Sequence, residues 1–146
     1  GSKEMPIEDF FSGDGKAPLI KEPAEILSEI IIPKTPAAGI SSYIKFANRD
    51  SIDFPIVGTA FWALENNKQY RVAFTAVDRK PVRGKQAEDF LNGKELSAEN
   101  VKAALDLAAK SAKPVKTSVY APSHKRRMMG LLLQNAVKEA KRRASK

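Results

Sequence analysis

Residues 54–64, "FPIVGTAFWAL", are apolar at nearly every position. They read as a strand covered on both faces, with Ile56, Gly58, Ala60 and Trp62 opposed to Val57, Thr59, Phe61 and Ala63. The neighbouring runs alternate more cleanly. In 42–47, Ile44 and Phe46 project to one side, and Tyr43, Lys45 and Ala47 to the other. In 69–77, Tyr70, Val72, Phe74 and Ala76 share a face. "ENNK" (65–68) joins the last two runs at hairpin length, so the three strands are expected to form an antiparallel meander. Upstream, "EILSEIIIP" (25–33) alternates and then becomes an isoleucine run ended by Pro33, the pattern of a further short strand.

Beyond residue 84 the apolar period changes from two to that of a helix. "KQAEDFLNG" (85–93) groups Ala87, Phe90 and Leu91 and stops at Gly93, a natural C-cap residue. Ser97 suits the N-cap of a helix running to about Ser111, with Val101, Ala104, Leu105 and Ala108 on one stripe and Pro114 beyond its end. Ser123 is expected to cap a long third helix that turns Met129, Leu132, Leu133, Ala136 and Ala140 inward. Lys141 to Lys146 lie near its C-terminus, where cations complement the macrodipole. Strands first and helices after predict an α+β fold: a small antiparallel β-sheet of three to four strands packed on about three helices.

The first 24 residues are rich in Pro and Gly and offer several turns, yet Ile7, Phe10 and Phe11 are too apolar for a mere linker and are expected to dock on something. Gly1 and Ser2 read as a tag remnant. "KTPAAG" reads as a linker.

Composition narrows the chemistry. The 146 residues include no cysteine and one histidine, His124. Disulfides, thiolate catalysis and cysteine-ligated metals are excluded, and the cytoplasm is slightly favoured. No apolar run reaches the roughly 20 residues that a membrane-spanning helix needs. The net charge is +8, carried by the C-terminal end: from Lys113 onward there are ten Lys or Arg and one acid, Glu139. The aromatic residues that would stack on bases lie outside that region except Tyr120, so a solvated helix face is the better reading of the basic end.

No catalytic constellation stands out. "FFSGDGKAP" is neither a Walker loop nor a dinucleotide fingerprint and reads as a surface turn. His124, beside Lys125, Arg126 and Arg127, reads as a helix-start residue rather than a base. The acids Glu25, Glu29, Asp50, Asp53, Asp78 and Glu88 show no spacing that selects a pair. "DRKPVRGKQ" is a basic turn entering a helix and reads as a solvated loop.

Taken in order, four segments carry a resemblance: "EDFFSG…KAPLIKEPAEILSEIIIP", "SSYIKFANRDSIDFPIVGTAFWAL", "AFTAVDRKPVRGKQAEDFLNGKEL" and "PVKTSVYAPSHKRRMMGLLLQNAVKEA". Together they resemble the FAD-binding (medium) subunit of the molybdenum hydroxylases, which include xanthine dehydrogenase, CO dehydrogenase and 4-hydroxybenzoyl-CoA reductase. The resemblance implies that residues 37–146 are a CO dehydrogenase flavoprotein C-terminal-like domain, and that residues 1–36 hold the last stretch of the FAD-binding domain. It further implies an intact subunit that carries FAD between Fe–S clusters and an electron acceptor, with Fe–S and molybdopterin subunits as partners. By the same motif, Lys45 in "YIKFANR" matches a lysine that approaches the flavin, and Leu27 in "EILSEIIIP" an apolar residue that packs against it. Arg49 and Asp50 are then expected either to orient the strand end or to form a simple surface ion pair that contributes little. The flavin pyrophosphate loops of such subunits are absent from these residues, so tight FAD binding and catalysis by this chain alone are not expected. The alternatives are a small basic nucleic-acid-binding domain and a protein-interaction domain.

Overall fold

A computed structural model describes residues 1–34, 36, 39–115 and 120–145. Parts of the "KTPAAG" linker, and residues 116–119 ahead of the last helix, lie outside the described residues. The elements follow in the order β1 (Ile40–Phe46), β2 (Val57–Leu64), β3 (Gln69–Thr75), β4 (Val82–Arg83), α1 (Lys85–Leu91), α2 (Ala98–Lys110) and α3 (Pro122–Ala144). The strands form one antiparallel sheet in the order β1-β2-β3-β4. The expected α+β architecture is borne out, with β4 as the fourth strand.

The sheet is antiparallel because its links are short. A 3-10 turn at Glu65–Asn67 joins β2 to β3, and Lys68 closes it with φ +48. β3 ends at Thr75 because Ala76 turns into the left-handed region, φ +62, where a pleated strand cannot continue. Helix α3 packs across β1 and β2, α1 packs on β3, and α2 bridges α1 and α3. All three helices therefore lie on one face of the sheet. That face supplies Val57, Phe61, Ala63, Tyr70, Val72 and Phe74 to a single core with Leu91, Ala104, Met129, Leu133 and Ala136. Phe61 and Tyr70 stack at 6.0 Å with their planes 15° apart.

The helix ends show which cap signals the chain obeys. Ser97 caps α2 as expected, its hydroxyl accepting the Asn100 N–H at 3.1 Å. Gly93 follows α1 with φ +81, and its N–H reaches the Lys68 carbonyl. The cap of α3 is Ala121 rather than Ser123, because Pro122, with its fixed φ and missing N–H, takes the first helical position.

Three expectations need correction. β2 is not covered on both sides: Gly58 is buried, but Ala60 and Trp62 are only half-buried, since all the described helices occupy the opposite face. Residues 25–33 form no strand. A strand needs a neighbour to satisfy its ladder, and here Ile26, Leu27, Ile30, Ile31 and Ile32 are all more than half exposed. Ile7, Phe10 and Phe11 are likewise not among the hydrophobics packed on the core; Phe10 and Phe11 meet each other edge-on at 6.2 Å. "FFSGDGKAP" is indeed a turn, closed by an antiparallel bridge between Phe11 and Leu19.

Candidate functional site

β1 alternates as its sequence dictates. Ile40, Ser42, Ile44 and Phe46 face the helices; Ser41, Tyr43 and Lys45 face the open side of the sheet. At the end of β1, Lys45 turns onto the loop that follows. Its Nζ donates to the backbone carbonyls of Asp53 (3.0 Å) and Ser51 (3.4 Å). Asp53 fixes the same loop from within: Oδ2 accepts the Arg49 N–H at 3.1 Å, and Oδ1 accepts the Phe54 N–H at 2.9 Å. The Ile56 N–H to the Phe46 carbonyl, at 2.7 Å, closes its base. Arg49 pairs with Asp53 at 3.6 Å rather than with the adjacent Asp50. The result is a tied loop whose tip presents Ile52 and Phe54, 95% and 89% exposed.

The helix side of this strand end is held as firmly. The Tyr120 hydroxyl donates to Asn48 Oδ1 at 2.8 Å, and the Tyr120 ring stacks on His124 at 5.1 Å. Phe46 packs against both rings. His124 is thus half-buried in an aromatic cluster rather than a solvated helix-start residue, and its Nε2 has no hydrogen-bond partner among the described residues. The next residue, Lys125, is fully buried at the start of α3 and donates to the Ala76 carbonyl at 3.2 Å. Burial holds its ammonium below the usual lysine range.

The open face is read directly from the strand register. Lys45, Gly58 and Thr75 lie across one row; Tyr43, Ala60, Ala73 and Arg83 across the next; Ser41, Trp62 and Arg71 across the third. Tyr43 lies over Gly58 so closely that a Cβ there would fall 2.4 Å from both Tyr43 Oη and Thr75 Oγ1. Glycine is required for that approach.

The edge at β4 depends on one buried carboxylate. Glu88 Oε1 accepts the Val72 N–H at 2.8 Å and Arg83 Nε at 2.8 Å, while Oε2 accepts Arg83 Nη2 at 2.6 Å. Glu88 therefore supplies the acceptor that the two-residue β4 is too short to give Val72. The Gly84 N–H bonds the Val72 carbonyl at 2.8 Å. Glu88 raises the guanidinium pKa of Arg83 above its ordinary value, chiefly through this hydrogen bond. From sequence, Glu88 is one acid among several; the signal was an arginine five residues ahead of it across a Gly turn.

The two residues matched by motif are placed differently. Lys45 is fixed at the rim of the open face, and its ammonium has more N–H donors than the two carbonyls engage. Leu27 lies in the exposed segment outside every element, 52% exposed, and is not among the residues packed on the core. Among the described residues, no group of three or more His, Asp or Glu is placed to hold a metal ion. No helix among them is long and apolar enough to cross a membrane.

Comparison with known proteins assigns the architecture. Residues 42–140 match the family described as CO dehydrogenase flavoprotein C-terminal domain. The nicotinate dehydrogenase FAD-subunit of Eubacterium barkeri is 30% identical over 112 residues, covering 73% of this chain and 38% of that protein. Among solved structures, a carbon monoxide dehydrogenase of Hydrogenophaga pseudoflava superposes with a TM-score of 0.70 at 26% identity, covering 77% of this chain and 40% of that one. Quinoline 2-oxidoreductase of Pseudomonas putida 86 shares the fold, with a TM-score of 0.66 at 21% identity over 75% of this chain and 39% of its own. The chain thus spans about two-fifths of the length of these relatives. With the sheet, the helices and the order of motifs agreeing, this chain belongs to the CO dehydrogenase flavoprotein C-terminal domain family, the C-terminal domain of molybdenum hydroxylase FAD subunits.

Proposed function

We propose that this domain covers the flavin of a molybdenum-dependent oxidoreductase of the xanthine, CO or aldehyde dehydrogenase type, and that Lys45 is its contact to FAD. The observation that carries the reading is the fixed position of Lys45. Two loop carbonyls hold its ammonium at the open rim of the sheet, beside the exposed Ile52 and Phe54, with an N–H donor to spare. A cation held so stabilises negative charge on a reduced flavin ring or its phosphates, because its orientation is paid for by the fold before the cofactor arrives. The flavin itself supplies the electron carrier between Fe–S clusters and an acceptor.

The remainder of the reading concerns residues 1–36 as the terminal stretch of the FAD-binding domain. Five aliphatic side chains from Ile26 to Ile32 stand exposed, which suits a strand whose sheet lies in another part of the subunit, with Leu27 packed toward the flavin. The partners are then the FAD-binding domain of the same subunit and the Fe–S and molybdopterin subunits, in the cytoplasm. Part of the basic C-terminal helix is engaged within the fold, which favours this over a nucleic-acid role, although Arg126, Arg127 and Lys138 stay exposed. Lys125 is buried, Lys141 donates to the Leu96 carbonyl, and Arg142 and Arg143 bind Glu139.

The test is assembly. Mixing this chain with a polypeptide that carries the flavin-binding part of a related FAD subunit, in the presence of FAD, should give a complex that retains flavin through gel filtration. The chain alone should be colourless. No complex, or stoichiometric FAD on the isolated chain, would refute the reading.

A further inference from the structure

We propose that the trough on the open face of the sheet binds a planar aromatic anion. The trough is an open depression of about 510 Å³, within the range of small-molecule sites of roughly 300–1,000 Å³. Its floor is made of small side chains, Ala60 and Ala73, paired across β2 and β3. Tyr43, Trp62, Arg71, Arg83 and Arg143 line its sides.

Each wall is held in place. Gly39 lies against Trp62 so closely that a Cβ there would fall 2.7 Å from the indole Nε1. Tyr43 is seated over Gly58. Arg83 is fixed by its paired hydrogen bonds to Glu88 and also meets Glu8 at 3.5 Å. Arg143 is fixed between Glu139 Oε1 and the Ser41 carbonyl, both at 2.9 Å. These contacts leave N–H donors unspent on both guanidinium groups. Arg71 donates only to the Tyr70 carbonyl, at 3.0 Å, and has no carboxylate partner among the described residues. Rings over an alanine floor select a flat ligand by stacking and apolar contact. Three arginines line the trough; Arg83 and Arg143 are paired with carboxylates and Arg71 has none among the described residues. The trough therefore favours a carboxylate or phosphate, which guanidinium groups bind with charge-assisted, often paired, hydrogen bonds. The trough lies on the same face as Lys45, one row along the strands, but its argument rests on Arg71, Arg83, Arg143 and the rings rather than on Lys45.

Trp62 is the only tryptophan in the sequence, so its fluorescence reports on the trough alone. The expected result is saturable quenching by benzoate, by adenosine monophosphate, or by both, with Kd below about 10 mM. Benzoate alone assigns the site to small aromatic carboxylates, adenosine monophosphate alone to nucleotides, and both to the shared chemistry. Benzyl alcohol, which has the ring without the charge, should not saturate. Arg71→Ala should weaken binding about tenfold with an unchanged circular dichroism spectrum, and Ala60→Leu, which fills the floor, should abolish it. The proposal is overturned if neither anion gives saturable quenching, if sulfate binds as tightly as the aromatic anions, or if Arg71→Ala and Ala60→Leu bind as the wild type does.

Discussion

Lys45 donates to the backbone carbonyl of Asp53 at 3.0 Å, so the side chain with the clearest functional motif is also a structural tie. It spans a loop also held by the Asp53 carboxylate and, at its base, by the Ile56 N–H to the Phe46 carbonyl. Replacing Lys45 with Met keeps the aliphatic stem and removes the tie. We expect a loss of about 1 kcal/mol of stability and faster amide exchange at residues 51–54. Unchanged exchange there would show that Asp53 alone holds the loop.

The Glu88 carboxylate carries three hydrogen bonds and is only 4% exposed. Glu88→Ala leaves the Val72 N–H without its acceptor and the Arg83 guanidinium with only the exposed Glu8, at 3.5 Å, which should cost roughly 3 kcal/mol. Glu88→Gln retains one acceptor oxygen and should cost less. The reading is urea unfolding, with a lowered midpoint and an unchanged slope. A Glu88→Ala variant within about 0.5 kcal/mol of wild type would mean that Arg83 and Val72 find other partners.

Gly58→Ala should destabilise the sheet by about 1–3 kcal/mol, as overpacking does, because the new methyl group meets Tyr43 Oη and Thr75 Oγ1 at 2.4 Å. Placed in a Tyr43→Ala, Thr75→Ala background, the same substitution should cost much less, since the colliding atoms are gone. Equal costs in the two backgrounds would rule out the clash as the cause.

Arg142, and then Arg143, hold the Glu139 carboxyl down at about 2. The folded state therefore releases this proton more readily than the unfolded chain, whose value is near 4.5. The stabilisation is present in full above about 4.5 and is lost as pH falls toward 2. In thermal melts, the gap between wild type and Glu139→Gln should be constant above that range and shrink below it. A gap independent of pH would contradict the assignment.

Much of this fold is legible in the sequence because its elements are local. The apolar period of β2 and β3, the Ser97 cap and the inward stripe of α3 each depend on residues a few positions apart. What escaped depends on distant partners. "EILSEIIIP" reads as a strand by pattern, yet a strand exists only where a neighbour accepts its ladder, and pattern does not contain the neighbour. The reach of Lys45 onto the next loop, the burial of Lys125 and the Glu88 bond to Val72 likewise appear only once the chain is folded. The open second face of β2 was hidden by Gly58 and Ala60, which read as core, whereas Ala60 lines a trough.

The most direct test of the account is the flavin in an assembled subunit, measured with and without the Lys45 ammonium. In a complex that contains the flavin-binding part, Lys45→Ala should weaken FAD retention about tenfold, the loss of one charge-assisted contact, and shift the flavin potential to more negative values. Flavin content and potential identical to wild type would contradict the claim that this domain brings Lys45 to the cofactor.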